Sequence, residues 1–332
     1  MKKILKLFSL SVAVLLLVGS FTGCSPGETM DIPDPEGIAA DFEDEEFFDL
    51  AAEMVPLTAS PAMFSAPMPT ASGTWVKKNA KAEIDYSNSS DGYIMVRFLA
   101  KTSMQLRVLV TGPSGVRYTY TLKSNGDWEV FPLSDGNGNY TIGVFEQIEG
   151  TRYATANSVS FSVTLKDEFA PFLRPNQYVN FNRESEVVKK AAELVKGVSG
   201  MHPQVSAIYE FVINNFTYDK VKAQNVKSGY LPDVDAILKA KKGICFDYAA
   251  VMTAMLRSQG IPTKLIVGYA GTAYHAWIDV YSPETGWVNS IISFNGKTWN
   301  LMDPTFASSA NQSKEVMSFI GDGTNYTAKY AY

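Results

Sequence analysis

Three residues in the C-terminal half of the chain have the types and the order expected for a nucleophile, a base and an acid that orients the base. Cys245 opens a helical apolar pattern. His275 lies in a run that alternates like a strand, and Asp303 ends the next predicted strand. A helix N-terminus stabilises a thiolate, the form of cysteine that attacks acyl groups. A histidine can accept the thiol proton, and a carboxylate can hold the imidazole in the required tautomer.

The chain offers few alternatives for these roles, because it contains 2 cysteines and 2 histidines. The other histidine, His202, lies in a connector with no acid or thiol beside it. Taken singly, Cys245 and His275 could each be ordinary core residues. A core role for Cys245, however, does not predict a histidine and an acid at matching places downstream, and the sequence has both.

The elements that would position these residues lie in the range 167–332, where the apolar period changes from two to 3.6. Gly243 precedes the predicted helix of Cys245, and Gly260 follows it as a stop signal. The remaining helical patterns cover 187–195, 203–215 and 232–238, and the strand patterns cover 262–270, 274–281 and 298–303. This mixture predicts an α+β domain.

Residues 76–166 have a different pattern, with short alternating runs separated by turn residues. The turn cluster 134–139 and the alternation at 159–165 are the clearest examples. The pattern predicts an antiparallel β-sandwich of immunoglobulin-like type. This range has no cysteine, no histidine and no carboxylate cluster at metal-ligand spacing. We therefore expect a spacer or substrate-presenting module.

The first residues indicate where the protein works. Lys2 and Lys3 precede a short apolar run at 10–18, which is typical of a secretory signal. Cys24 follows a small residue at the end of this segment and resembles the lipobox of bacterial lipoproteins. That resemblance implies a signal peptide at 1–23, lipidation of Cys24 and anchoring at the extracytoplasmic face of a bacterial membrane. The alternative is ordinary secretion with an incidental Cys24.

Residues 24–75 contain 11 acids, no Lys or Arg, and scattered prolines. This composition predicts a flexible tether, or alternatively an acidic binding segment anchored by Phe42, Phe47 and Phe48. The whole chain has a net charge of −5 and no basic stripe, which argues against a nucleic-acid partner. The predicted order is a signal peptide (1–23), a tether (24–75), the β-sandwich (76–166) and the α+β domain (167–332).

Three motifs together resemble the transglutaminase-like superfamily over roughly residues 180–307. They are Gly243-x-Cys245 at a helix start, His275-Ala276-Trp277 in a strand, and Asp303-Pro304-Thr305 closing the next strand. The resemblance implies a papain-like α+β fold with Cys245 as nucleophile, His275 as general base and Asp303 as the residue that orients it.

The resemblance also implies an oxyanion hole, made by the amide of the nucleophile and a second donor, for which Tyr218 is a candidate. Tyr218 is equally consistent with a core aromatic residue. Asp247 fits the first turn of the helix and is expected to be structural. The calcium-binding loops of animal transglutaminases have no counterpart here, so neither a metal nor another cofactor is expected.

The reaction stays open, because one triad supports both hydrolysis and crosslinking. We expect an enzyme that cleaves amide bonds in proteins or peptides through a thioester, with crosslinking as the lesser possibility. Peptidoglycan peptides would fit the predicted location as substrates. The alternative is a non-catalytic surface adhesion or scaffold protein with a vestigial transglutaminase-like domain.

Overall fold

The structure is a computed structural model that describes residues 27–34, 65–284, 286–288, 291–294, 299–301 and 326–332. Its strands and helices form two parts, which we call the β unit (β1 to β9) and the α/β unit (α1 to β17). Within the described residues, none of the helices has the length and apolar character needed to cross a membrane.

The β unit consists of two antiparallel sheets. One has the strand order β2-β3-β4-β7 and the other β1-β9-β8-β5-β6. The strands are β1 (Thr29–Asp31), β2 (Val76–Lys78), β3 (Ala82–Asp85), β4 (Tyr93–Phe98), β5 (Leu106–Thr111), β6 (Arg117–Leu122), β7 (Glu129–Pro132), β8 (Gly138–Glu149) and β9 (Arg152–Val163).

The two sheets share one apolar core. Ile84 and Val96 from the first sheet and Val108 and Ile142 from the second are fully buried in the same cluster. β6 shows the period of two, because its exposed and partly buried side chains alternate with buried ones. Two antiparallel sheets are thus present where the sequence predicted β structure, while the immunoglobulin-like type of the predicted sandwich remains a prediction.

Two parts of the predicted tether are packed against folded elements. β1 pairs antiparallel with β9, from Thr29 opposite Ala154 to Asp31 opposite Arg152. The amide of Ser65 donates to the carbonyl of Ser258 at 2.9 Å. In these parts the chain gains backbone partners that its acidic, proline-rich composition did not indicate.

The α/β unit surrounds one buried helix. Its helices are α1 (Glu186–Leu194), α2 (Met201–Asn215), α3 (Lys220–Asn225), α4 (Val234–Ala240) and α5 (Cys245–Ser258). Its strands are β10 (Thr217–Tyr218), β11 (Lys242–Gly243), β12 (Thr263–Ala270), β13 (Ala273–Ser282), β14 (Gly286–Val288), β15 (Ile291–Phe294), β16 (Trp299–Leu301) and β17 (Tyr326–Ala331). Every residue of α5 is buried. α1, α2 and α4 pack against α5, as do β12 and β13.

The main sheet of this unit is antiparallel, with the order β14-β13-β12-β17. Arg257 near the end of α5 helps to hold it together. Its fully buried guanidinium donates to the backbone oxygens of Thr263 at 2.9 Å, Arg174 at 2.7 Å and Tyr332 at 2.6 Å. One side chain therefore joins α5 to the start of β12 and to the residue after β17.

Tyrosine rings form one contact between the two units. The ring centroid of Tyr332 lies 5.5 Å from that of Tyr118 and 5.8 Å from that of Tyr120 on β6. Tyr178, in the connection between the units, lies 4.6 Å from Tyr332. Burial raises the pKa of Tyr118 to about 12, so its hydroxyl is neutral at physiological pH. β6 and the end of the chain thus share one aromatic interface.

Candidate active site

Cys245 is the first residue of α5 and is fully buried. A short parallel strand pair holds the chain just before it, because Tyr218 in β10 is paired with Gly243 in β11. The amide of Asp219 donates to the carbonyl of Gly243 at 2.8 Å. The predicted oxyanion candidate Tyr218 is therefore placed beside the backbone that leads into Cys245.

Gly243 is required by the close approach of Asp247. A Cβ atom at position 243 would lie 2.6 Å from the Cβ of Asp247 and 2.8 Å from its Oδ2. The carboxylate reaches back in this way because it accepts a hydrogen bond from the amide of Ile244 at 2.9 Å. That amide belongs to the free N–H groups at a helix start, so Asp247 caps the helix that carries Cys245.

The Asp247 carboxylate is fully buried and has two further partners. Lys222 Nζ on α3 lies 2.5 Å from Oδ2, and the hydroxyl of Tyr230 donates to Oδ1 at 2.7 Å. Burial and the adjacent charge of Asp247 raise the pKa of Tyr230, which keeps its hydroxyl protonated as a donor. The sequence indicated a structural role for Asp247 but gave no signal for partners 25 and 17 residues away.

The path of the chain from α5 through β12 to β13 brings His275 toward the end of the α/β unit where Cys245 lies. α5 ends beside the start of β12, because Arg257 bonds to Thr263. β12 packs against α5, and β13 begins where β12 ends, with Ala273 opposite Ala270. The 14 residues of α5 and the 8 of β12 span about 21 Å and about 26 Å. Phe246, in the first turn of α5, and Tyr274, at the start of β13, line the same cavity, so the start of β13 lies near the start of α5.

The imidazole of His275 is fully buried among aromatic rings. Its ring centroid lies 6.2 Å from that of Trp277 and 6.2 Å from that of Tyr326, and the Trp277 and Tyr326 centroids are 5.1 Å apart. Gly268 is the cross-strand partner of His275. A Cβ atom there would lie 2.9 Å from Cη2 of Trp277, so a glycine leaves room for the indole.

A cavity lies near the start of α5 and the start of β13, on the face of β13 opposite to His275. Its wall contains neither Cys245 nor His275, but it includes the residues next to them in sequence, Phe246 and Tyr274. Six aromatic side chains line it: Tyr178, Tyr230, Phe246, Tyr274, Tyr330 and Tyr332. The cavity therefore approaches both the start of α5 and the start of β13.

The structure describes some of the predicted site residues but not all of them. Cys245, Tyr218 and His275 lie at one end of the α/β unit. Asp303 and the predicted lipidation residue Cys24 lie outside the described residues, so their roles stay predictions. In the part of the chain that the structure describes, no group of three or more His, Cys, Asp or Glu residues could hold a metal ion.

Comparison with known proteins places the site in a wider context. Residues 188–290 match the family model of the transglutaminase-like superfamily. The uncharacterized protein YebA of Bacillus subtilis is 24% identical in a 197-residue alignment that covers 51% of this chain and 26% of YebA. The protein-glutamine gamma-glutamyltransferase of Pseudomonas aeruginosa is 26% identical in a 117-residue alignment that covers 30% of this chain and 17% of that protein.

The chain therefore spans about a quarter of the first relative and about a sixth of the second. Among solved structures, the periplasmic domain of TgpA from Pseudomonas aeruginosa matches with a TM-score of 0.32 and 17% identity, over 68% of this chain and 92% of that domain.

Proposed function

Because residues 188–290 form a domain of the transglutaminase-like superfamily, we propose that the chain is a cysteine acyl-transfer enzyme that cleaves amide bonds in proteins or peptides. Cys245 is the proposed nucleophile, His275 the general base and Asp303 the residue that orients His275. The observation that carries the proposal is the start of α5. A cysteine begins a buried helix there, and the residues next to the cysteine and the histidine, Phe246 and Tyr274, line one cavity.

The chemistry follows from these positions. The Cys245 thiol gives its proton to His275, and its sulfur forms a bond to the acyl carbon of the amide. The C–N bond then breaks, and His275 returns the proton to the leaving amine. Water attacks the thioester, with His275 taking a proton from it, and releases the acid and the free thiol. The backbone amide of Cys245, at a helix N-terminus, is suited to stabilise the negative oxygen, with Tyr218 as a candidate second donor.

Crosslinking is the second outcome of the same thioester, if an amine attacks in place of water. One relative is named protein-glutamine gamma-glutamyltransferase, and this name supports crosslinking as the second proposal. Hydrolysis requires no second binding site, and this favours it as the primary proposal. Both reactions use Cys245 and His275, so one set of variants tests the shared chemistry.

The proposed location is the extracytoplasmic face of a bacterial membrane, with a lipid on Cys24 as the anchor. Envelope proteins or peptides, including peptidoglycan peptides, are the proposed substrates, and no nucleic-acid partner is proposed. The competing proposal is a non-catalytic adhesion or scaffold protein. Replacing Cys245 by alanine separates the two, because a scaffold would keep its phenotype.

The first experiment measures alkylation of Cys245 by iodoacetamide against pH, followed by mass spectrometry of the peptide that contains it. The variant His275→Ala should slow alkylation near neutral pH and lower amide cleavage by about 10²- to 10⁴-fold. His202→Ala is the matched control, because His202 contacts Ser282 and Glu284 at 3.0 Å and 3.1 Å. Equal effects of the two histidine variants, or full activity of Cys245→Ala, would contradict the proposal.

A further inference from the structure

The cavity beside Phe246 and Tyr274 is built by separate parts of the chain. β6 contributes Thr119, the connection after α3 contributes Val226 and Tyr230, and β17 contributes Tyr330. Phe246 follows the proposed nucleophile directly, so the cavity lies one residue from Cys245 along α5, although the Cys245 side chain is not part of its wall. Both units of the fold form the wall, which gives the β unit a direct part in the site.

Aromatic rings form a large part of the wall. Phe246, Tyr178 and Tyr332 are almost fully buried. Burial raises the pKa of the Tyr178 and Tyr332 hydroxyls, so neither contributes a negative charge at physiological pH. Aromatic rings of this kind gain most by covering another apolar surface, in offset-stacked or edge-to-face contacts.

The charges around the cavity argue against a cationic guest. Asp34 lies in the wall, but it is paired with the buried guanidinium of Arg107 at 2.6 Å. Lys227 also lies in the wall and would repel an ammonium group. A cage of aromatic rings that binds a lysine ammonium group would need a net negative charge around it. The walls therefore favour a neutral apolar group.

The size of the space limits that group further. Its volume is about 100 Å³, and a buried apolar cavity of about 150 Å³ is known to accept benzene. The space is smaller than that cavity, so one branched aliphatic side chain or, at most, one phenyl ring is the scale of guest that suits it.

We infer that this cavity binds an aromatic or branched aliphatic side chain of the peptide substrate, next to the acyl group that Cys245 attacks. The inference rests on the proposed function and adds a substrate class to it. Substrates with phenylalanine or leucine at that position are expected to react faster than substrates with glycine, by about 10- to 100-fold, the range for burying one such side chain.

The test compares two reagents that report on the cavity and on Cys245 separately. N-acetyl-phenylalanine and N-acetyl-glycine chloromethyl ketones both alkylate a thiolate, since the sulfur forms a bond to the methylene carbon and chloride leaves. Their rates on the full chain are followed by mass spectrometry of the Cys245 peptide. The phenylalanine reagent should react at least about 10-fold faster.

Val226→Trp should fill the cavity and abolish the preference. Val221→Trp is the matched control, because Val221 is exposed on α3 and lies outside the cavity wall. Thr119→Phe fills the cavity from the opposite wall and serves if Val226→Trp does not fold. Equal rates for the two reagents in the wild type, or a preference that survives both filling variants, would overturn the inference. Failure of Cys245 to react with either reagent and with iodoacetamide would instead overturn the proposed function on which it rests.

Discussion

Replacing Lys222 by methionine should destabilise the start of α5, because it leaves the Asp247 carboxylate buried without its cation. The exposed fraction of the Asp247 side chain is 0%, and Lys222 Nζ lies 2.5 Å from its Oδ2. Methionine keeps much of the length of the lysine side chain and removes the charge. The amide of Ile244 and the hydroxyl of Tyr230 would remain as donors to the carboxylate.

The magnitude follows from the burial of the two groups. At 2.5 Å and an effective dielectric constant of about 20, the attraction is about 7 kcal/mol before the cost of desolvation. Breaking a buried ion pair costs about 3–5 kcal/mol overall. Lys222 keeps 27% of its side-chain exposure, so water compensates part of the loss. We therefore expect the free energy of unfolding to fall by about 3 kcal/mol.

The assay is urea unfolding of Lys222→Met, Asp247→Asn and the double variant. The double variant should be less destabilised than the sum of the single variants, by about 2 kcal/mol, because no unpaired charge remains. Lys239→Met is the matched control, since Lys239 is exposed in the last turn of α4. A change of less than about 0.5 kcal/mol in Lys222→Met, or additive effects in the double variant, would refute this account of the pair.

Three other substitutions test the packing around the site. Gly243→Ala should push Asp247 away from the Ile244 amide, lower the free energy of unfolding by about 1–3 kcal/mol and slow Cys245 alkylation. Gly268→Ala should cost at least as much, because its Cβ would lie in contact with the carbonyl of Thr327 and push β17 from β12; hydrogen exchange of the β17 amides would report it. Arg257→Met leaves three backbone oxygens without their donor and should cost about 2 kcal/mol in urea unfolding. Burial of the charged guanidinium is unfavourable and lowers the pKa of Arg257 to about 9. Removing this group removes that cost and offsets part of the loss.

The elements that carry the site were predictable because each depends on local signals. The helix of Cys245 has Gly243 before it, an apolar pattern within it and a stop at Gly260, and α5 occupies Cys245–Ser258. The two strands after it have few residues between them, so an antiparallel pair follows from the short connection. Gly268 and His275 are opposite one another in that pair.

Contacts between distant segments were not predictable from the same signals. β17 pairs with β12 across more than 50 residues, and neither segment shows which partner it takes. Lys222 and Tyr230 bind Asp247 from α3 and from the loop after it, where no periodicity indicates the direction of a side chain. β1 lies in an acidic stretch whose composition predicts a solvated chain, and its backbone bonds to β9 prevail over that tendency.

Tyr230 connects these contacts to the proposed chemistry. Its ring lines the cavity, and its hydroxyl bonds to Asp247, which in turn accepts the Ile244 amide next to Cys245. The ion pair and the cavity should nevertheless be separable. Lys222→Met loosens the helix start, so it should slow alkylation by both chloromethyl ketones and leave their ratio unchanged. Val226→Trp fills the cavity, so it should change the ratio with little effect on iodoacetamide. A change of ratio in Lys222→Met would mean instead that Asp247 and its partners hold the cavity wall in place.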